Sequence, residues 1–217
     1  MAEIGTNYPE IKSKKYNKDH FVYVPSLELF IAKEKTYLGK NWFESHKLMQ
    51  ENQEFMPTIP QFTEFLKYLK NSNNQEYLII YHDITDIKPS WRGEWLDAIF
   101  DIKEDQMYIN YAHKLDKNGN LMPQNSESLN RETLMKDKKI NLKDWINSSH
   151  TKQGLPDKNV REGESYFYYP RNKKAARFGA NSALNYLSCG WNPSVGAGLG
   201  TRAVIKKLIN LNNINKI

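Results

Sequence analysis

The chain is poor in cysteine. One cysteine, Cys189, occurs in 217 residues. That excludes an internal disulfide and any cysteine-rich metal centre. Its apolar surroundings predict a buried, inert thiol. No stretch approaches the roughly 18 apolar residues of a membrane-spanning helix. Residues 1–20 contain no apolar segment of the kind a signal peptide requires. The five histidines, His20, His46, His82, His113 and His150, show no HExxH or His-x-His spacing, so neither metal nor cofactor is expected. His82 with Asp83 and Asp86 comes nearest to a site and reads as ordinary exposed polarity. Charge itself is missing from residues 178–201, where no Lys, Arg, Asp or Glu occurs. At the chain's 26% charged content a stretch of this length carries about six charges. Its absence argues against acid–base chemistry there, and against a carboxylate-built calcium site.

What is present describes a globular protein. Hydrophobic residues make up 39% and aromatic residues 12%, too many aromatics for a disordered chain. The length fits one domain, expected over 21–217, preceded by a polar basic arm at 1–20 that carries Lys12, Lys14, Lys15 and Lys18. The 31 basic and 25 acidic residues leave a net charge of +6. Because the two signs are interspersed, solubility explains this balance better than an anionic partner does. The expected location is the cytoplasm, or a virion or cell surface reached through a partner.

Local signals place the elements. Phe21 to Val24 and Leu27 to Ala32 are short apolar runs split by Pro25 and read as strands. Asn41 with Glu44, and Thr58 with Gln61, are capping boxes that predict helices over 42–51 and 59–70. Pro60 suits the first turn of the second helix. Phe62, Phe65, Leu66 and Leu69 form its core-facing stripe. The run 76–84 fits either a strand or a helix. In 91–101, Leu96, Ala98 and Phe100 alternate with Asp97, Ile99 and Asp101, a strand whose hairpin partner is 107–112. Within it, Trp91, Arg92, Glu94 and Trp95 read as a core tryptophan with an Arg–Glu pair bracing the last strand. Residues 114–163 are polar and read as a long irregular insertion pinned by Trp145. Residues 164–169 and 201–208 are strand-like.

The neutral window carries the resemblance. Arg177, Phe178, Ala180, Ser182, Leu187, Cys189, Pro193, Leu199, Gly200 and Arg202 resemble the frame of variable proteins of diversity-generating retroelements, which have a C-type lectin fold. Residues 56–69 and 91–102 resemble the helix and core-strand segments of the same family. More distantly the chain resembles the formylglycine-generating branch of that fold. The resemblance implies an α+β fold with two helices packed on small antiparallel sheets and long irregular loops, and favours helix for 76–84. It also implies a variable region at about 177–202, rewritten when template adenines are misread. Residues reachable from AAC or AAT codons fill the window except Trp191, which is expected to be frame or to come from another codon.

On this reading the diversified, ligand-binding positions are Gly179, Asn181, Leu184, Tyr186, Ser188, Gly190, Asn192, Val195 and Gly196. Alternation along 184–189 predicts Leu187 and Cys189 in the core, with Tyr186 and Ser188 facing out. Tyr offers contact area, while Ser, Gly and Asn offer adaptable hydrogen bonds. The expected partner is a variable ligand, most often a protein, and no catalysis is expected. Two alternatives remain open: a nucleic-acid binder drawing on the basic balance, and a formylglycine-type oxidase, which would need a copper-holding cysteine pair. The run 196–200 lacks G-x-G-x-x-G spacing and reads as a close-approach turn, not a phosphate cradle.

Overall fold

The computed structural model describes residues 17–148, 150–191 and 198–206. A hairpin of β1 (Phe21–Val24) and β2 (Leu29–Ala32) leads into α1 (Trp42–Glu51), α2 (Ile59–Asn71) and α3 (Gln75–Thr85). Then come β3 (Arg92–Lys103), β4 (Gln106–Leu115), β5 (Leu121–Ser128), β6 (Lys138–Ile140), the short α4 (Leu142–Asn147) and β7 (Ser165–Tyr168). The chain continues through β8 (Lys174–Ala180), β9 (Asn185–Trp191), β10 (Leu199–Gly200) and β11 (Val204–Lys206). The class is α+β. Four helices are present among the described residues, and the sheets are not all small and antiparallel. One has eight strands in the order β5-β4-β3-β8-β9-β7-β6, with β10 beside β3. The pairs β7–β9 and β10–β3 are parallel. The second sheet, β1-β2-β11, joins the hairpin to a strand from the far end of the described chain.

Both capping boxes form. Asn41 accepts from the Glu44 amide and Glu44 accepts in return; Thr58 and Gln61 do the same. The stripe of α2 is fully buried, and each such side chain contributes about 1.5–3 kcal/mol relative to exposure. Residues 75–85 are helical, started by the Asn74 side chain on the Glu76 amide. The β3–β4 hairpin closes through Glu104 and Asp105, both at positive φ, which matches the right-handed strand twist.

The large sheet is covered on both faces. Leu96, Ala98 and Phe100 of β3, Ala176 and Phe178 of β8, and Leu187 and Cys189 of β9 join the main core with α2, α3 and α4. Trp95 and Ala175 turn the other way, into a second cluster with Trp42, Met49, Leu199 and Ala203. The tryptophan N–H groups donate to backbone carbonyls, Trp42 to Leu96 at 2.9 Å and Trp95 to Lys40 at 3.2 Å.

The segment expected to be irregular, 114–163, holds β5, β6 and α4. β5 escapes a periodicity reading because it is a polar edge strand, exposed along most of its length and pairing only with β4 on the ordered path. Trp145 is buried here and donates to the Gly154 carbonyl at 2.7 Å. Gly154 has a φ of 79°, and a Cβ there would lie 2.8 Å from the Pro60 nitrogen. Only glycine fits this crossing.

The Arg–Glu pair is Glu94 with Arg202, not with Arg92. Arg202 Nε and Nη2 donate to the two Glu94 oxygens at 2.9 Å each, with both residues buried. Arg202 Nη1 donates to the carbonyls of Ala32 and Lys33. Arg92 instead donates to the carbonyls of Ile84 and Asp86 at the end of α3.

Candidate functional site

The neutral window supplies the last three residues of β8, the turn that follows, all of β9 and, further on, β10. The antiparallel register of β8 and β9 sets Phe178 opposite Leu187 and Gly179 opposite Tyr186. Leu187 and Cys189 occupy the main core, and burial pushes the Cys189 thiol well above its ordinary pKa. The opposite face is not open. Tyr186 is 6% exposed and Ser188 is 4% exposed, so the expectation that they face outward is wrong. Alternation separates the two faces correctly. It carries no information about what covers the second one.

Trp91, Arg177 and Tyr168 flank that face. The Tyr186 hydroxyl accepts from Trp91 Nε1 at 2.8 Å and from Arg177 Nη2 at 2.9 Å. The Arg177 guanidinium lies 5.0 Å from the Trp91 ring centroid and 5.3 Å from that of Tyr186. Such cation–ring contacts gain strength when water is excluded. Burial lowers the Arg177 pKa to about 10, against the opposing pull of Tyr186 and Tyr168, so it stays charged at neutral pH. Tyr168 packs edge-on against Tyr186 at 5.9 Å.

Gly179 is locked by the same arrangement. A Cβ there would sit 2.8 Å from the Tyr186 ring. Gly179, Tyr186 and Ser188 are therefore enclosed and offer little surface to a ligand. Asn181 and Leu184 are half-buried in the turn, with Ser182 and Ala183 exposed between them. Asn181 Oδ1 accepts from the amides of Ala183 and Leu184 at 2.8 and 3.0 Å, a local turn-forming pattern. Gly190 is half-exposed beside Arg171. Asn192, Val195 and Gly196 lie outside the described residues. Neighbouring β7 adds Tyr166, half-exposed, and Tyr168, 36% exposed. The aromatic run at 164–169 was the signal that could have placed them beside the window.

A second group escapes any reading of local spacing. His46 of α1, Asp97 of β3 and His113 of β4 bring one nitrogen or oxygen each within 4.8 Å of one another. Two backbone irregularities aim them. The β3–β8 register shifts between Trp95 and Ile99, bracketing Asp97, and Ala112 before His113 has a φ of 56°. Bulges and left-handed residues re-aim side chains in this way. Asp97 Oδ1 lies 2.5 Å from His113 Nδ1, and Oδ2 accepts the His113 amide at 3.0 Å. Burial opposes the charged carboxylate, but His46 and His113 outweigh it and hold the Asp97 pKa well below the usual range.

Comparison with protein-family models, curated proteins and solved structures finds no match to this chain.

Proposed function

We propose that the protein is a non-enzymatic, receptor-like binding protein on a C-type-lectin-like scaffold. Its contact residues come from a retroelement-diversified segment within about 177–202, and its ligand is another protein. The observation that carries this reading is the division of the neutral window. Its β9 residues lie between the main core on one face and Trp91, Arg177 and Tyr168 on the other, while the turn at 181–184 reaches solvent without a charge. A rigid frame of this kind tolerates exchange at its turns better than on its strands. The burial of Tyr186 and Ser188 narrows the surface. The described contact residues are Asn181, Leu184 and Gly190, with Asn192, Val195 and Gly196 completing the set and Tyr166 and Tyr168 as fixed aromatic neighbours. Tyrosine beside small polar residues suits protein ligands, because it offers area at low entropy cost.

The test lies in the DNA flanking the coding sequence. A near-copy of the codons for 177–202 that differs only at adenines, together with a reverse-transcriptase reading frame, supports the proposal. A locus lacking both overturns it.

A further inference from the structure

The group of His46, Asp97 and His113 is half satisfied. A buried carboxylate between two imidazoles can be stabilised by hydrogen bonds alone, and His113 supplies its share through Nδ1 and its amide. His46 does not. Its Nε2 lies 3.4 Å from Asp97 Oδ1 and makes no hydrogen bond, although the residue is 1% exposed. An unsatisfied buried polar group of this kind costs about 1–3 kcal/mol.

The spacing has a simple chemical meaning. Ligands bound to zinc at about 2.0–2.1 Å in a tetrahedron are about 3.3 Å from each other, close to the His46–Asp97 separation. The rings are held for such a role. Trp42 packs edge-on against both, with centroids at 4.3 Å from His46 and 4.9 Å from His113. Gln50 braces the backbone around His113, donating to the His113 carbonyl and accepting from the Leu115 amide. Asp97 and His113 also line a cavity of about 270 Å³.

We propose that His46, Asp97 and His113 bind one divalent transition-metal ion, zinc(II) foremost, with a remaining coordination position turned to that cavity. Two imidazoles and a carboxylate form a donor set suited to zinc and its neighbours in the first row. Ligation through His113 Nδ1 requires the proton shared with Asp97 Oδ1 to leave that nitrogen, for Nε2 or for solvent, and their contact widens to the ligand–ligand spacing.

Metal-stripped full-length protein titrated with Zn²⁺ by calorimetry is expected to take up one ion per chain, and its thermal midpoint should rise with free Zn²⁺. Co²⁺ should give the visible bands of a four-coordinate site, and added azide should perturb them. His46→Gln and His113→Gln should each weaken Zn²⁺ binding on the order of 100-fold or more, given that even outer-shell changes cost 10–100-fold. His82→Gln, on an exposed pair with Asp86, should change nothing. Imidazole NMR of the unmutated protein avoids any folding defect in the variants. Zn²⁺ must shift the His46 and His113 ring signals and spare those of His20, His82 and His150. Absence of stoichiometric binding, binding that survives both substitutions, or shifts confined to the exposed histidines would each overturn the site. Co²⁺ bands indifferent to azide would overturn the open position.

Discussion

Tyr186 is enclosed, and the energetics of that enclosure can be worked from its contacts. Tyr186→Phe keeps the ring and removes the acceptor of Trp91 Nε1 and Arg177 Nη2. A hydrogen bond to a charged group is worth about 1.5–3 kcal/mol, so a loss of that size is expected. Tyr186→Ala also empties the space over Gly179 and beside Tyr168. Large-to-small aromatic changes in cores cost about 3–5 kcal/mol. Leu187→Ala in the main core sets the scale at about 2–5 kcal/mol. Leu184→Ala, half-buried in the turn, should cost far less, near the ~0.5 kcal/mol typical of surface sites. The assay is urea unfolding followed by tryptophan fluorescence, with midpoints compared at constant slope. If Tyr186→Ala shifts stability no more than Leu184→Ala does, Tyr186 is not enclosed and the assignment of the window fails.

Three further outcomes follow from particular contacts. Glu94→Ala leaves the Arg202 guanidinium buried without its carboxylate, and should cost about 3–5 kcal/mol by chemical denaturation. Gly154→Ala places a methyl against the Pro60 backbone at a φ of 79°; a loss of about 1–3 kcal/mol is expected, and an unchanged thermal midpoint would refute the crossing. Glu127 accepts from Lys152, Tyr111 and Gln153, which lower its pKa from 4.5 to about 2. A depressed carboxylate contributes stability above its unfolded pKa and loses it as pH falls through the folded one. Unmutated protein should therefore weaken between pH 4.5 and about 2 more steeply than Glu127→Gln, as read by midpoints across an acid series.

Much of the frame is legible locally. Asn41 with Glu44 and Thr58 with Gln61 give helix starts because a capping box is a contact between residues three apart. The α2 stripe and the Leu96–Ala98–Phe100 alternation are equally local. What is not legible depends on distant partners. Nothing within β9 reports that Trp91 and Arg177 lie over Tyr186, so a covered face reads like an open one. β5 has no apolar period, because an edge strand needs only its neighbour's ladder. Arg202 reaches Glu94 across 108 residues of sequence, and nearer Arg92 looks the more natural mate in sequence. His46, Asp97 and His113 sit on three separate elements, and the turns that aim two of them leave no mark in residue spacing.

The pairing of β11 with β2 and the reach of Arg202 back to Glu94 constrain the order in which the protein can be made. During translation the first hairpin emerges early, yet its second strand waits for residues 204–206 before both of its edges are filled. Until residue 202 leaves the ribosome, Glu94 lacks its cation and cannot be enclosed at low cost. A nascent chain stalled short of that point would present an unfilled strand edge and an unneutralised acid.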